Sequence, residues 1–370
     1  MAIDIESLPE EAQKALQQFS EFQLAAFNDS GANGYVMIGR HNVLKKDVAI
    51  KIYFHDANDV DQEPVIIATL NHENILKVFD ARKVEECCSF YMMQAANSGD
   101  LFSFLENYNL SLDLSYKLLC QLLSGLSAMH CQEMKLVHRD LKPENLLVHD
   151  DKLVIADFGS VRRIDDTTGK APASKHSILY RPPEAFGNNA FFDFSSDVYQ
   201  AGIIGYLLFG GRLSNNLLEQ LNERELNELD RVKQTGGDYE ISTYIDSCIE
   251  KRIKSGKLIE WDSIPFYVPN KVVKVIKKAV LSKDKRYANV SEFLAELTKV
   301  RAGLPNWIAS KEGFELHDWK GNDYLLTESS EKVILKKRKH KMKTFRVDNS
   351  IQAEEFSIAY NQLKDKIKLP

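Results

Sequence analysis

Hydrophobic positions change period along the chain, and each change marks an element. Behind Ser7, the residues Ala12, Ala15, Leu16 and Phe19 recur at helical spacing, and Glu10 three positions after Ser7 reads as a capping box. From Phe27 to Phe54 the period falls to two, broken by turn residues, as in paired strands. Phe90 to Phe104 passes from strand through an irregular stretch into a helix. Ser111 to Cys131 predicts a long amphipathic helix with Leu118, Leu122, Gly125, Leu126 and Met129 at helical spacing. Two short apolar runs, Leu146–Val148 and Leu153–Ala156, split by His149-Asp150-Asp151-Lys152, predict a hairpin. Ala201 to Phe209 is the longest apolar run, far short of the ~20 residues that span a bilayer, so a buried helix is expected. Residues 212–262 are charged and only partly periodic, and helices resume at Val272–Leu281 and Ser291–Val300. Past Gly303 and Pro305, short strands are expected at Gly313–Leu316, Tyr324–Thr327, Val333–Leu335 and Thr344–Val347, then a helix near Ile351–Lys366.

Length and charge add boundaries to this pattern. A chain of 370 residues exceeds one typical core and suggests two or three units. The net charge of −5 argues against a nucleic-acid binder, although residues 302–370 carry +3 against −8 on the rest. Within that last stretch Lys336 to Lys343 is strongly basic: it could bind an acidic partner, nucleic acid or import machinery, and a solvated hairpin is the preferred reading. The five cysteines form no C-x-x-C pair, which fits a reducing compartment, and the acidic amphipathic N-terminus is unlike a signal peptide. A cytoplasmic protein without a membrane span is therefore expected.

The chemistry concentrates between Val137 and Gly159. Asp140, Asn145 and Asp157 appear there in fixed order, the last two separated by the predicted hairpin. One carboxylate to take a hydroxyl proton, with an amide and a second carboxylate to hold Mg²⁺ through oxygen, is what phosphoryl transfer from ATP needs. His138-Arg139-Asp140-Leu141-Lys142-Pro143-Glu144-Asn145 and Asp157-Phe158-Gly159 resemble the catalytic loop and metal-binding triplet of the eukaryotic-like (Hanks-type) Ser/Thr protein kinases. The resemblance covers about residues 25–301. It implies an α+β, two-lobed protein kinase fold: a small antiparallel-sheet lobe, a larger helical lobe, and ATP with Mg²⁺ between them. Residues 1–24 would be a helical extension on the small lobe, and residues 302–370 a small α/β C-terminal module that resembles no family.

Carried over residue by residue, the resemblance implies a role for each matched position. Gly31, Gly34 and Val36 match the back half of the glycine-rich loop, with Asp29 where the family has its first glycine. Val48-Ala49-Ile50-Lys51 matches the third-strand motif, so Ala49 would touch adenine and Lys51 the α- and β-phosphates. Glu63 would hold Lys51; because Pro64 follows it and proline is tolerated only in a first turn, the helix is expected to start near Gln62. The other reading leaves Glu63 on the surface. Met93 would flank the adenine pocket, Gln94, Ala95 and Ala96 would offer hinge hydrogen bonds, and Asp100 would meet a ribose hydroxyl, cap a helix, or both. Asp140 would be the base, Lys142 would steady the phosphoryl group, and Asn145 and Asp157 would ligate metal. His130 and His138 read as structural.

Arg139 resembles the arginine that pairs with a phosphorylated activation loop, here residues 157–184, with Thr167, Thr168, Ser174 and Ser177 as acceptors. Ser177 also falls where the family has a threonine contacting Asp140 and Lys142. Glu184 and Arg286 should form a structural ion pair, and Asp197 should hydrogen-bond the catalytic-loop backbone. The implied partner is a protein substrate with a Ser or Thr hydroxyl; a pseudokinase scaffold and a small-molecule kinase are the alternatives. The C-terminal stretch has aromatics enough to fold but a marginal core by itself, so it is expected to dock on the large lobe through Trp307 and Trp319, with Lys336–Lys343 facing solvent.

Overall fold

Alternation in the first quarter of the chain closes into one antiparallel sheet. A computed structural model describes residues 3–29, 34–54, 63–85, 87–173, 177–329 and 331–369; Gly31, Gln62 and Ser174, to which the sequence assigns roles, lie outside the described residues. Helix α1 (Glu10–Gln17) precedes strands β1 (Phe22–Asn28), β2 (Gly34–His41) and β3 (Lys46–Phe54). Helix α2 (Glu63–Thr69) and strands β4 (Val78–Glu85) and β5 (Cys88–Gln94) complete the small lobe, in sheet order β1-β2-β3-β5-β4. The two faces of β3 part company. Val48, Ile50 and Ile52 bury against Ala12, Ala15 and Phe19 of the N-terminal segment, whereas Ala49 and Tyr53 join the core that continues into the large lobe.

Ser7 does not cap α1. It ends a short 3₁₀ turn, and its hydroxyl donates to the Asp4 carbonyl, while Pro9 occupies the cap position of α1 without a side-chain bond. Proline has no N–H, so the half of a capping box that would satisfy the cap residue's own N–H has nothing to bond there. Helix α2 is only seven residues long and carries Pro64 second, where its missing N–H costs nothing.

The large lobe begins with α3 (Leu101–Asn107) and α4 (Leu112–His130), then β6 (Leu136–Val137) and the hairpin of β7 (Leu146–His149) and β8 (Lys152–Ile155). Asp150 and Asp151 both have positive φ (49° and 55°), the signature of a two-residue turn whose twist suits a hairpin, and this sets the register Leu146↔Ile155. Strands β9 (Arg162–Arg163) and β10 (Ala171–Pro172) pair with β6 and β11 (Phe191–Phe192), tying the segment after Asp157 down at two points. Helix α5 (Phe194–Leu208) is buried almost all round, as its apolar run predicts. A Cβ on Gly202 would lie 2.8 Å from the Ala279 Cβ, so glycine there lets α5 cross closely over the later helix that ends at Ala279.

The charged stretch 212–262 holds α6 (Glu223–Thr235) and α7 (Asp238–Lys254), joined by a bidentate Arg252–Glu225 pair. Helices α8 (Asn270–Ala279) and α9 (Val290–Lys299) close the lobe. The remaining chain is a five-stranded antiparallel meander, β12 (Asn306–Ser310), β13 (Gly313–Trp319), β14 (Asn322–Ser329), β15 (Lys332–Lys339) and β16 (Arg346–Ala353), with helix α10 (Phe356–Ile367). Ile351 therefore belongs to a strand and not to the helix. Trp307 is fully buried, its ring against Tyr267 of the large lobe and Tyr360 of α10, while Phe266 packs on Phe314 and Tyr360. Asn306 accepts from the Asp113 N–H at the start of α4 (3.0 Å), so the meander is docked on the large lobe. Trp319 instead ties the meander to its own helix, donating to the Ile367 carbonyl. The basic run is not wholly solvated either: Arg338 bonds Asp323 and Glu315, and His340 bonds Asp323.

Candidate active site

A buried carboxylate of α2 organises the cleft from above. Glu63 is 8% exposed, and its Oε1 accepts from Lys51 Nζ (3.1 Å), the Tyr91 hydroxyl (2.9 Å) and the Phe158 N–H (3.3 Å). Lys51 also reaches Asp157 Oδ1 at 3.0 Å. Elements distant in sequence thereby meet at one ammonium. Burial alone would pull the Lys51 pKa down; the carboxylates of Glu63 and Asp157 more than reverse this, leaving it above its ordinary value. Burial likewise would raise Asp157, but Lys51 outweighs it and the carboxyl stays below the usual range. Burial, reinforced by Glu63, pushes the Tyr91 hydroxyl well up, so it remains a neutral donor.

From below, α5 and α4 hold the catalytic loop. Asp197 is fully buried and accepts the His138 N–H (2.8 Å), the Arg139 N–H (3.0 Å) and a bond shared with His130 Nε2 (2.9 Å). His138 is buried with Nε2 on the Ala156 carbonyl, so both histidines are structural. Arg139 and Asp157 adopt positive φ (72° and 56°), a conformation that costs a non-glycine residue roughly 1–3 kcal/mol and is common where geometry serves a site. The Asn145 amide donates to the Asp140 carbonyl (2.7 Å) and carboxylate (3.1 Å). Lys142 Nζ stands 3.8 Å from Asp140.

Other residues singled out in the sequence fall around this centre. Ala49 and Met93 pair across β3 and β5 and are buried, with Val36 half-buried on the same core. The Ala95 N–H donates to the Asp47 carbonyl (3.2 Å), and the Ala96 carbonyl accepts the Gly99 N–H (3.4 Å). Asp100 caps α3, accepting the Ser103 N–H at 2.7 Å. Gly34 has φ 150°, and a Cβ there would meet the Ile52 carbonyl at 1.9 Å, so strand packing already demands glycine. Asp29 is exposed.

Arg286 bonds both oxygens of Glu184, at 2.7 and 3.2 Å, as well as the Ser195 carbonyl. Thr167 and Thr168 are exposed on a turn whose amides bond Asp165 (3.1 and 2.7 Å). Ser177 precedes the 3₁₀ turn Ile178–Tyr180 and makes no hydrogen bond to Asp140 or Lys142 among the described residues. Arg139 has a buried Nε without a partner among the described residues, and burial together with nearby Arg162 lowers its pKa to about 10. Gln200 was missed by sequence reasoning: it bonds the catalytic loop from inside α5, and a lone glutamine in an apolar helix carries no signal of that.

Comparison with known proteins agrees with this geometry. The protein kinase domain family model matches residues 29–303. The chain is 29% identical over 206 residues to calcium-dependent protein kinase 6 of Plasmodium berghei, covering 53% of this chain and 14% of that protein. It is 30% identical over 207 residues to serine/threonine-protein kinase GIN4 of Saccharomyces cerevisiae, covering 50% and 18%. To testis-specific serine/threonine-protein kinase 2 of Mus musculus it is 31% identical over 183 residues, covering 46% and 51%. The aligned part thus spans about half or less of these relatives' own length.

Proposed function

The chain belongs to the protein kinase family, and from that premise we propose that it is a Ser/Thr protein kinase using ATP and Mg²⁺. The observation that carries this reading is the joined set of Lys51, Glu63 and Asp157, with Lys51 within 3.1 Å of both acids. In the reaction a substrate hydroxyl oxygen forms a bond to the γ-phosphorus as the bond to the β-phosphate oxygen breaks, in line. Asp140 orients that hydroxyl and accepts its proton. Lys51 positions the α- and β-phosphates, and Lys142, beside Asp140, offsets charge on the transferred group.

The donor set fits magnesium. Asn145 spends its amide hydrogens on Asp140, which leaves its carbonyl oxygen as a ligand, and Asp157 keeps a second carboxylate oxygen beyond the one on Lys51. Both are hard oxygen donors of the kind that leave room for phosphate and water. When bound, the ion supplies charge neutralisation at the phosphates. Gln94 and Ala96 would bind adenine through their backbone, between Ala49 and Met93, and Asp100 would meet the ribose with the oxygen that α3 does not use.

The same site is read as regulated. Arg139 offers a buried Nε, unpartnered among the described residues, beside Arg162, a setting suited to a phosphate on Thr167 or Thr168. The test is transfer from labelled ATP with Mg²⁺ to Ser, Thr and Tyr peptide libraries, together with mass spectrometry of the activation segment. Ser/Thr labelling that disappears in Asp157→Ala is expected. Activity surviving in that variant would overturn the assignment, and active protein unmodified throughout residues 157–184 would remove the regulatory part.

A further inference from the structure

Among the side chains of α5, Gln200 is polar, 2% exposed and one turn beyond Asp197. An amide buried that deeply is costly unless both its ends are bonded, and a leucine or methionine would fill the space at less expense. Both ends meet the catalytic loop. Gln200 Oε1 accepts the Leu141 N–H at 3.1 Å, and Nε2 faces the Arg139 carbonyl at a longer 3.4 Å. The reverse orientation of the amide would set donor against donor and acceptor against acceptor, so the arrangement is fixed by its partners. These two backbone groups lie on either side of Asp140.

Asp197 holds the other half of the loop, through the N–H groups of His138 and Arg139. From α5, residues 138–141 therefore hang by two side chains, three apart and so on one face of the helix, while Asn145 holds the Asp140 carbonyl from within the loop. Asp197 alone cannot fix the backbone beyond the Arg139 amide. The positive φ of Arg139 turns the chain sharply just there, and a non-glycine residue stays in that conformation only when its surroundings over-determine it. We infer that Gln200 is a positioning residue for the phosphotransfer proposed above, clamping the backbone on both sides of Asp140 so that its carboxylate meets the substrate hydroxyl in register. It touches no reacting atom.

Misplacing a reacting group by about 1 Å can cost roughly 100-fold in rate, which bounds the expected effect. The experiment compares wild type, Gln200→Met and Gln200→Glu for kcat and KM on a Ser peptide. It also measures binding stoichiometry for a fluorescent ATP analogue with Mg²⁺, and hydrogen exchange at the Leu141 amide. Gln200→Met should bind nucleotide at full stoichiometry, keep KM for ATP within about twofold, lose on the order of 10- to 100-fold in kcat, and exchange faster at Leu141. Gln200→Glu keeps the acceptor facing Leu141 and loses the donor facing Arg139, so it should protect that amide and lose less.

Wild-type kcat per nucleotide site in both variants overturns the inference. A kcat loss matched one for one by lost nucleotide sites overturns it too, since that is damage to the fold alone. If Gln200→Met does not fold, Gln200→Glu decides: reduced kcat per site supports the clamp and unchanged kcat refutes it. Should the wild type itself transfer no phosphate, the functional reading fails. The Leu141 exchange rate still reports whether Gln200 holds the loop.

Discussion

Two charge networks in this molecule are built from the same side-chain types and end in opposite conditions. In the cleft, Arg139 keeps a buried Nε without a partner among the described residues, and both it and Asp157 sit at positive φ. On the C-terminal meander, Asp323 is 1% exposed and takes the Asp318 N–H, Arg338 and His340, while Arg338 bonds Glu315 with its remaining fork and lies over the Phe345 ring. Glu315, His317 and Asp323 come close enough to suggest a metal cluster, but Arg338 already supplies the positive charge between the two carboxylates. One network has capacity to spare for phosphate and metal; the other is closed on itself. Spare bonding capacity on charged side chains, more than the number of charges, separates these two networks.

The largest expected effect lies in the cleft. Asp140→Ala removes the proposed base and should lower kcat by about 10²- to 10⁴-fold, while the melting temperature stays close to wild type. Comparable turnover in the variant, measured with Ser peptide and saturating ATP, would mean that the open network is not the chemical one.

Next comes the meander. Trp307 joins the meander to the large lobe, and Trp307→Ala should cost about 3–5 kcal/mol of unfolding free energy in a denaturant titration. The folded fraction should keep its kcat, because neither Tyr267 nor Tyr360, against which the ring packs, belongs to the catalytic loop. A loss of kcat per folded molecule would show that the meander tunes the cleft and would erase the contrast between the two.

How much of this contrast was legible in the sequence depends on where each region finds its partners. The cleft residues were readable because their chemistry fixes both residue type and spacing, from Lys51 to Asp157. The hairpin was readable too, since Asp150 and Asp151 tolerate the left-handed turn that its register needs. The meander was only partly so. Strand Asn306–Ser310 hid behind Pro305 at an apparent boundary, and Ile351 fits strand or helix until its neighbours are known. Arg338 and His340 read as members of a solvated basic run because their acidic partners, Glu315 and Asp323, come from other strands. Gln200 failed for the same reason: its partners lie about 60 residues away in the chain, and local pattern cannot see them.

The smallest effect concerns pH, and it probes the closed network alone. Burial by itself would raise the Asp323 carboxyl; the Asp318 N–H, His340 and Arg338 outweigh burial and hold its pKa at about 2, below the ordinary 3.8. A carboxyl whose folded pKa is depressed contributes stability that is complete above its ordinary value and is lost as pH falls through the folded one. The window here runs from about pH 4 down to about 2. Asp348, held to about 2 by Ser350 first and then Lys366, titrates in the same window, so wild type alone cannot separate the two. The difference between wild type and Asp323→Asn can. Above about pH 5 the variant should be less stable by a constant amount, and the gap should narrow steadily as acid protonates the wild-type carboxyl. Thermal melts at closely spaced pH values would read this directly. Two curves that stay parallel from about pH 5 to about pH 2 would mean that Asp323 is not held as its partners indicate, and the closed network would lose its central member.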